Sequence, residues 1–185
     1  MEQTAPSTAY IPIQQDNAYH LFTEALRRQI SYHQKPGSQI VILCIGTDRV
    51  TGDSLGPMTG YLLARRKQNL DIPIFGTLAS PVHAKNIANI DSLIRQNFPE
   101  PLVIAVDASL GLAEHIGRLV VGAGSVKPGA GVSKELPAVG DIFITGIVNM
   151  WQKMNLPSLQ NTRLHTIVQM ADLISSGLLD ILYIR

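Results

Sequence analysis

The stretch QIVILCIGTDRVTGDSLGP, residues 39–57, decides the fold. After Gln39, every residue through Ile45 is apolar, with no polar alternation, which is the pattern of a strand buried on both faces. Gly46 to Gly56 is polar and glycine-punctuated, and Pro57 carries the fixed φ suited to the first turn of a helix. Strand, loop and helix in that order make a βα unit, with the helix expected from Met58 to about Asn69.

Reading outward, the same alternation returns. Pro73–Gly76 predicts a strand, Ala84–Asn97 a helix, and Leu102–Val106 another buried strand, with Asp107 directly after it. Arg118–Ala123 and Asp141–Val148 are strand-like, separated by a loop over 127–140 that holds two prolines and three glycines. From about Ser158, Leu164, Ile167, Val168, Ala171, Ile174, Leu178 and Ile181 form a helical stripe, weakened at Gly177. Toward the N-terminus, Asp16 or Asn17 is a plausible N-cap for a helix carrying Leu21, Phe22, Leu26 and Ile30, stopped by Pro36 and Gly37. Residues 1–15 read as an irregular leader. The expectation is one α/β domain over 16–185: a three-layer α/β/α sandwich, phosphorylase/hydrolase-like, with a mostly parallel or mixed sheet of about five strands.

The composition agrees with one domain, since 185 residues fall within the usual range of roughly 100–200. Net charge is +1 and the longest basic run is Arg65-Arg66-Lys67, so no electrostatic footprint for nucleic acid or an anionic membrane exists. Only 16% of residues are charged, which fits a sheet covered on both faces or a surface covered by other subunits, leaving a homo-oligomer open. No apolar run approaches the roughly 18 residues that span a bilayer. The first twenty residues lack the basic start and apolar run of a signal peptide. The single Cys44 forms no internal disulfide, and a reducing cytoplasm is the simplest compartment.

In open α/β sheets chemistry gathers beyond the carboxyl ends of the strands. That rule selects the loop 46–57 and Asp107. The loop glycines at 46, 52 and 56 match neither a dinucleotide fingerprint nor a P-loop, and Asp48 and Asp53 would repel phosphate. Asp53 is therefore either an active carboxylate near a helix N-terminus or, with Ser54, a helix cap. Asp107 ends an apolar run, where burial or a second carboxylate can shift its proton affinity. If their strands are neighbours, the two aspartates can share a proton and work as acid and base on one water.

The other candidates are weaker. His83 could face the same cleft or point to water, and His115 follows Asp107 in a loop-like stretch. His20 and His33 read as surface groups and His165 as structural. No zinc-binding histidine spacing occurs, and no Cys-rich site can form. Cys44 reads as a buried small hydrophobe. Ser54 and Ser109 sit beside the aspartates without the nucleophile-elbow pattern, which suits hydrogen bonding to the carboxylates or to substrate. Met150 and Trp151 read as a core or subunit contact.

Three motifs in order carry a resemblance: Ile45-Gly46-Thr47 with Thr51-Gly52-Asp53-Ser54-Leu55-Gly56-Pro57, then Val103–Ala108 around Asp107, then 127–135. Together they resemble the germination protease of endospore-forming bacteria. Over nearly the whole chain the sequence is similar to the short YyaC-type sporulation proteins, relatives of that protease, and its architecture more distantly to hydrogenase maturation endopeptidases. The resemblance implies that Asp53 and Asp107 occupy the positions of the protease's two essential aspartates in an atypical aspartic endopeptidase, and that small acid-soluble spore proteins are the substrate class. Thr47, Ser54, His83, Ser109, and Gly129 and Gly131 of the third motif are the expected substrate-binding set. The hydrogenase-processing relatives engage nickel through two acidic positions and a histidine; no histidine here aligns with theirs, so neither metal nor cofactor is expected. The chain is much shorter than the germination protease and departs from it between Asp107 and Pro128. The alternative reading is a non-catalytic binding or regulatory protein of sporulation on the same fold, in the cytoplasm of the mother cell or forespore.

Overall fold

The computed structural model describes residues 4–67, 71–127, 137–152 and 155–183. Among these residues six strands and five helices follow one another as β1 (Ala9–Pro12), α1 (Ala18–His33), β2 (Ile40–Cys44), α2 (Leu55–Arg66), β3 (Ile74–Phe75), α3 (Ile87–Asn97), β4 (Leu102–Gly111), β5 (Arg118–Ala123), β6 (Ile142–Met150), α4 (Asn155–Gln160) and α5 (Leu164–Tyr183). The sheet order is β1-β5-β6-β4-β2-β3. β3, β2, β4 and β6 run parallel; β5 is antiparallel to β6, and β1 to β5. The sheet is mixed, with its parallel part at the centre.

Side-chain alternation divides the core in two. Ile40, Ile42 and Cys44 of β2 with Ile104 and Val106 of β4 point toward α1, α2 and α5; Val41, Leu43, Val103 and Ala105 point toward α3. Both faces of the central strands are dry, which is why they read as continuous apolar runs. From β2 the chain crosses through α2 to β3 on one side, then returns through α3 to β4 on the other side of β2. Right-handed crossovers in opposite directions put α2 and α3 on opposite faces. The strand order therefore reverses between β2 and β4, and their carboxyl ends diverge into a crevice.

The structure corrects several expectations. The leader is not irregular throughout: Ala9–Pro12 completes the sheet edge, with Ala9 opposite Val121 and Pro12 opposite Arg118, so the domain begins before residue 16. The expected mixed α/β sandwich stands, its sheet holding six strands among the described residues. β4 continues five residues past Val106, so Asp107 lies within a strand rather than after it. α2 begins at Leu55, with Pro57 in its first turn. α3 begins at Ile87, three residues later than expected. A short α4 precedes α5, whose helix runs through Gly177 without a break. That glycine is buried against α1, where a Cβ would stand 2.7 Å from the Phe22 ring, so it admits close helix packing. α5 is long and apolar enough to cross a membrane by length and composition; here Ile167, Ala171, Ile174 and Leu178 are buried in the core.

Gly56, in the first turn of α2, fixes the approach of that helix to β2. A Cβ there would lie 2.1 Å from the Ile45 carbonyl oxygen, a backbone atom that cannot swing aside. Gly56→Ala is expected to lower unfolding free energy by about 1–3 kcal/mol, the cost of forced overpacking, measurable as a lower urea midpoint at unchanged slope.

Candidate active site

At the end of β2 the chain turns through Gly46 at φ +136°, a region that favours glycine. A Cβ here would come within 2.0 Å of the Asp53 carbonyl oxygen. Without one, Thr47 N–H donates to that oxygen at 3.0 Å and draws the 3₁₀ turn Thr51–Asp53 back over the strand end. From the other side α4 braces the turn: a Cβ on Gly52 would meet the Leu159 carbonyl oxygen at 2.7 Å. α4 is itself tied to β6, whose Asn149 amide donates to the Ser158 carbonyl at 2.7 Å.

Asp107, 8% exposed, sits on β4 opposite Thr145 of β6. Its Oδ1 accepts the Ala108 N–H at 2.9 Å. Asp53 and Asp107 line one cavity of about 860 Å³ together with Thr145 and the β4 residues Ala108, Ser109 and Leu110. Burial pushes Asp53 up to about 6, opposed by the Thr47 backbone N–H. Burial pushes Asp107 higher, up to about 8; the negative charge of Asp53 adds to the rise and the Ala108 N–H opposes it. The asymmetry follows from the deeper burial of Asp107, to which is added the charge that Asp53 acquires first.

Thr47, His83 and Ser109 also line this cavity. The Nδ1 of His83 accepts the Lys85 N–H at 3.3 Å. Ser54 does not line the cavity: it is buried, and its Oγ donates to the Thr51 carbonyl at 2.6 Å, so it ties the turn together rather than meeting substrate or a carboxylate. It holds the N-cap position of α2 without a side-chain capping bond. Gly129 and Gly131 lie outside the described residues. His115 packs against the Tyr10 ring at 5.8 Å, away from the cavity lining. His20 and His165 are exposed, whereas His33 is half-buried with an unpartnered Nε2. Cys44 is fully buried, and burial raises its thiol well above the ordinary range.

Five residues of the cavity lining were not legible as such in the sequence. Thr145 faces Asp107 from the neighbouring strand, and its signal was a lone polar residue near the carboxyl end of an apolar run. Trp151 is 63% exposed and lines the cavity, so it is not a core residue. Arg49, Lys85 and Lys127 bring positive charge to the lining, and none of them forms a salt bridge with a described residue. His83 shares the cavity with the two aspartates, yet among the described residues no three His, Cys, Asp or Glu side chains are grouped to hold a metal ion.

Fold and site together define an α/β domain with a paired-carboxylate cavity at its topological switch point. The chain belongs to the family described as "Protein of unknown function (DUF1256)", which matches residues 10–177. It is 47% identical over 148 residues to the uncharacterized protein YyaC of Bacillus subtilis (strain 168), spanning 80% of this chain and 72% of that one. Among solved structures it is similar to the NiFe hydrogenase maturation protease HycI from Thermococcus kodakarensis KOD1, with a TM-score of 0.52 and 18% identity over 79% of this chain and 93% of the other. That likeness establishes a shared α/β fold.

The raised carboxyls have a consequence for stability. A carboxyl with a higher proton affinity in the folded state than in the unfolded one stabilises the fold below its unfolded value near 3.8, and that contribution is lost as pH rises through its folded value. From Asp107 alone, stability should fall between about pH 4 and pH 8, at no more than about 1.4 kcal/mol per pH unit for one proton. Asp107→Asn keeps the acceptor for Ala108 N–H and removes the titration. Urea melts from pH 4 to 9 are expected to show a flatter profile than wild type and a relative gain at the alkaline end.

Proposed function

We propose that this protein is a sporulation-associated peptidase that hydrolyses peptide bonds with Asp53 and Asp107, in the manner of the germination protease its motifs resemble. The observation that carries the reading is the presence of these two carboxyls in one cavity, each raised by burial but to different extents. Between pH about 6 and about 8, Asp53 is mostly ionised and Asp107 mostly protonated. Separated proton affinities of this kind assign an acid and a base.

In the proposed step Asp53 takes a proton from water as the water oxygen bonds to the scissile carbonyl carbon. The Asp107 O–H polarises that carbonyl and then gives its proton to the amide nitrogen as the C–N bond breaks. The products are a carboxylic acid and an amine. Passage of the proton from Asp53 to Asp107 restores the starting state. No metal or cofactor is needed for this proton balance. Thr47, Ser109 and His83 line the space beside the pair and are the proposed contacts to substrate. The setting is the cytoplasm of the mother cell or forespore, and small acid-soluble spore proteins are the proposed substrates.

Incubating those proteins with the enzyme and reading the products by mass spectrometry tests the reading. Wild type should cleave, with a bell-shaped rate rising through about pH 6 and falling through about pH 8. Asp53→Asn and Asp107→Asn should each lose about 10²–10⁴-fold in rate. Unchanged cleavage by both variants defeats the mechanism; binding without cleavage by wild type supports the non-catalytic alternative.

A further inference from the structure

β4 outlasts its neighbour. β2 ends at Cys44, opposite Val106, whereas β4 continues to Gly111 beside β6. Ile45 N–H donates to the Val106 carbonyl at 2.7 Å, which places the backbone groups of Val106 on the β2 side. Successive residues of a strand aim their backbone groups to opposite edges, so those of Ala108 and Leu110 face the same side, where β2 has already turned away. The other edge agrees: Trp151 N–H donates to the Gly111 carbonyl at 2.8 Å, setting Gly111, and with it Ser109 and Asp107, toward β6.

Of the groups on the vacated edge, Ala108 N–H is held by the Asp107 carboxyl. The Ala108 carbonyl and the Leu110 N–H and carbonyl have no backbone partner outside the sheet ladder among the described residues, and the alternation along β4, held on both sides of the register shift between Ser109 and Leu110, turns them away from β6. They border the cavity that holds Asp53 and Asp107. A row of unpaired backbone groups is a template for another strand. Resting on the peptidase reading for its reaction, we infer that the substrate is an extended polypeptide segment that adds as a short strand along Ala108–Leu110 of β4, in line with the vacated end of β2.

The dimensions suit this occupant. Ala108 to Leu110 spans about 6.6 Å at the usual strand rise of about 3.3 Å per residue, enough for a segment of about three residues. A strand added at the usual spacing of about 4.8 Å lies beyond the end of β2, beside the Thr51–Asp53 turn that is folded back over it. Its backbone thus runs past Asp107 on one side and Asp53 on the other. Ser109 shares the sheet face of Asp107 and borders the place where a substrate side chain on that face would project. Recognition through backbone bonds favours unfolded or extended chains over folded proteins, with limited dependence on sequence.

The test uses Asp53→Asn protein, which binds without turnover, and reduced carboxymethylated α-lactalbumin as a permanently unfolded probe. Amide hydrogen exchange read by NMR should slow at Leu110 by at least about tenfold when the probe saturates the protein. Replacing Leu110 by its α-hydroxy acid, which removes the N–H donor and leaves Ser109 with a weaker ester carbonyl on the β6 side, should weaken binding roughly fivefold to tenfold, while Leu110→Ala keeps the donor and most of the affinity. No probe binding, unchanged Leu110 exchange, or equal affinity of the ester variant overturns the inference. Concentration-dependent protection of Leu110 without probe also overturns it, assigning the edge to a second copy of the chain. None of these readouts requires cleavage, so an inactive wild type would refute the peptidase reading and leave this result standing.

Discussion

The site depends on one backbone contact, the hydrogen bond from Thr47 N–H to the Asp53 carbonyl over a glycine at position 46. A polar loop leaving a buried strand would ordinarily run outward into water, since its backbone groups need partners. Here the loop satisfies part of that need by folding onto its own origin. The six residues from Thr47 to Gly52 become a return path, and Asp53 arrives close to the point where β2 ended. Any side chain at residue 46 would occupy the volume of the Asp53 carbonyl and push the turn away. The lower face of the turn is set by β2 and its outer face by α4, so the carboxylate is fixed by two elements far apart in sequence.

Asp107 is placed by different means. It is the sixth residue of a ten-residue strand, and its position follows from the register of β4 with β2 and β6. Strand register is among the firmest constraints in a fold, because a slip of one residue would turn every apolar side chain to the opposite face. One carboxyl is therefore held by a turn and the other by the sheet itself. Their different surroundings account for their different proton affinities: the turn leaves Asp53 partly accessible, while the strand buries Asp107 and exposes it to the charge of Asp53.

The central strands were legible in the sequence because burial on both faces leaves a continuous apolar run, as at residues 40–45 and 102–106. The switch-point rule then singled out the two aspartates from fourteen acidic residues. β1 was not legible. Its four residues include an exposed Tyr10 and a proline, and they are a strand only because β5 offers an edge to pair with. The extension of β4 past Asp107 was hidden for a similar reason: Ser109 and Gly111 break the apolar pattern, and pairing with β6 carries the strand onward. Ser54 misled because a hydroxyl next to an active carboxylate has the same sequence signature whether it meets substrate or, as here, the Thr51 carbonyl. The core reading of Trp151 failed because a large aromatic residue is usually buried. Local pattern reports which residues avoid water; which of them border a cavity is decided by tertiary pairing.

The pairing of β1 with β5 also bears on how the chain is completed during synthesis. Ala9 is made well before its partner Val121, which follows only after most of the parallel sheet. Contacts between such distant segments are made late, because closing a long loop is entropically costly until intervening structure shortens it. The nascent N-terminal segment therefore waits for the edge it will cover. Until then β5, with its run of leucine and valine, would present an open edge to other chains. Once paired, β1 covers that edge and leaves as the outer strand of the sheet a segment of only four residues that ends in a proline, a poorer template for another chain.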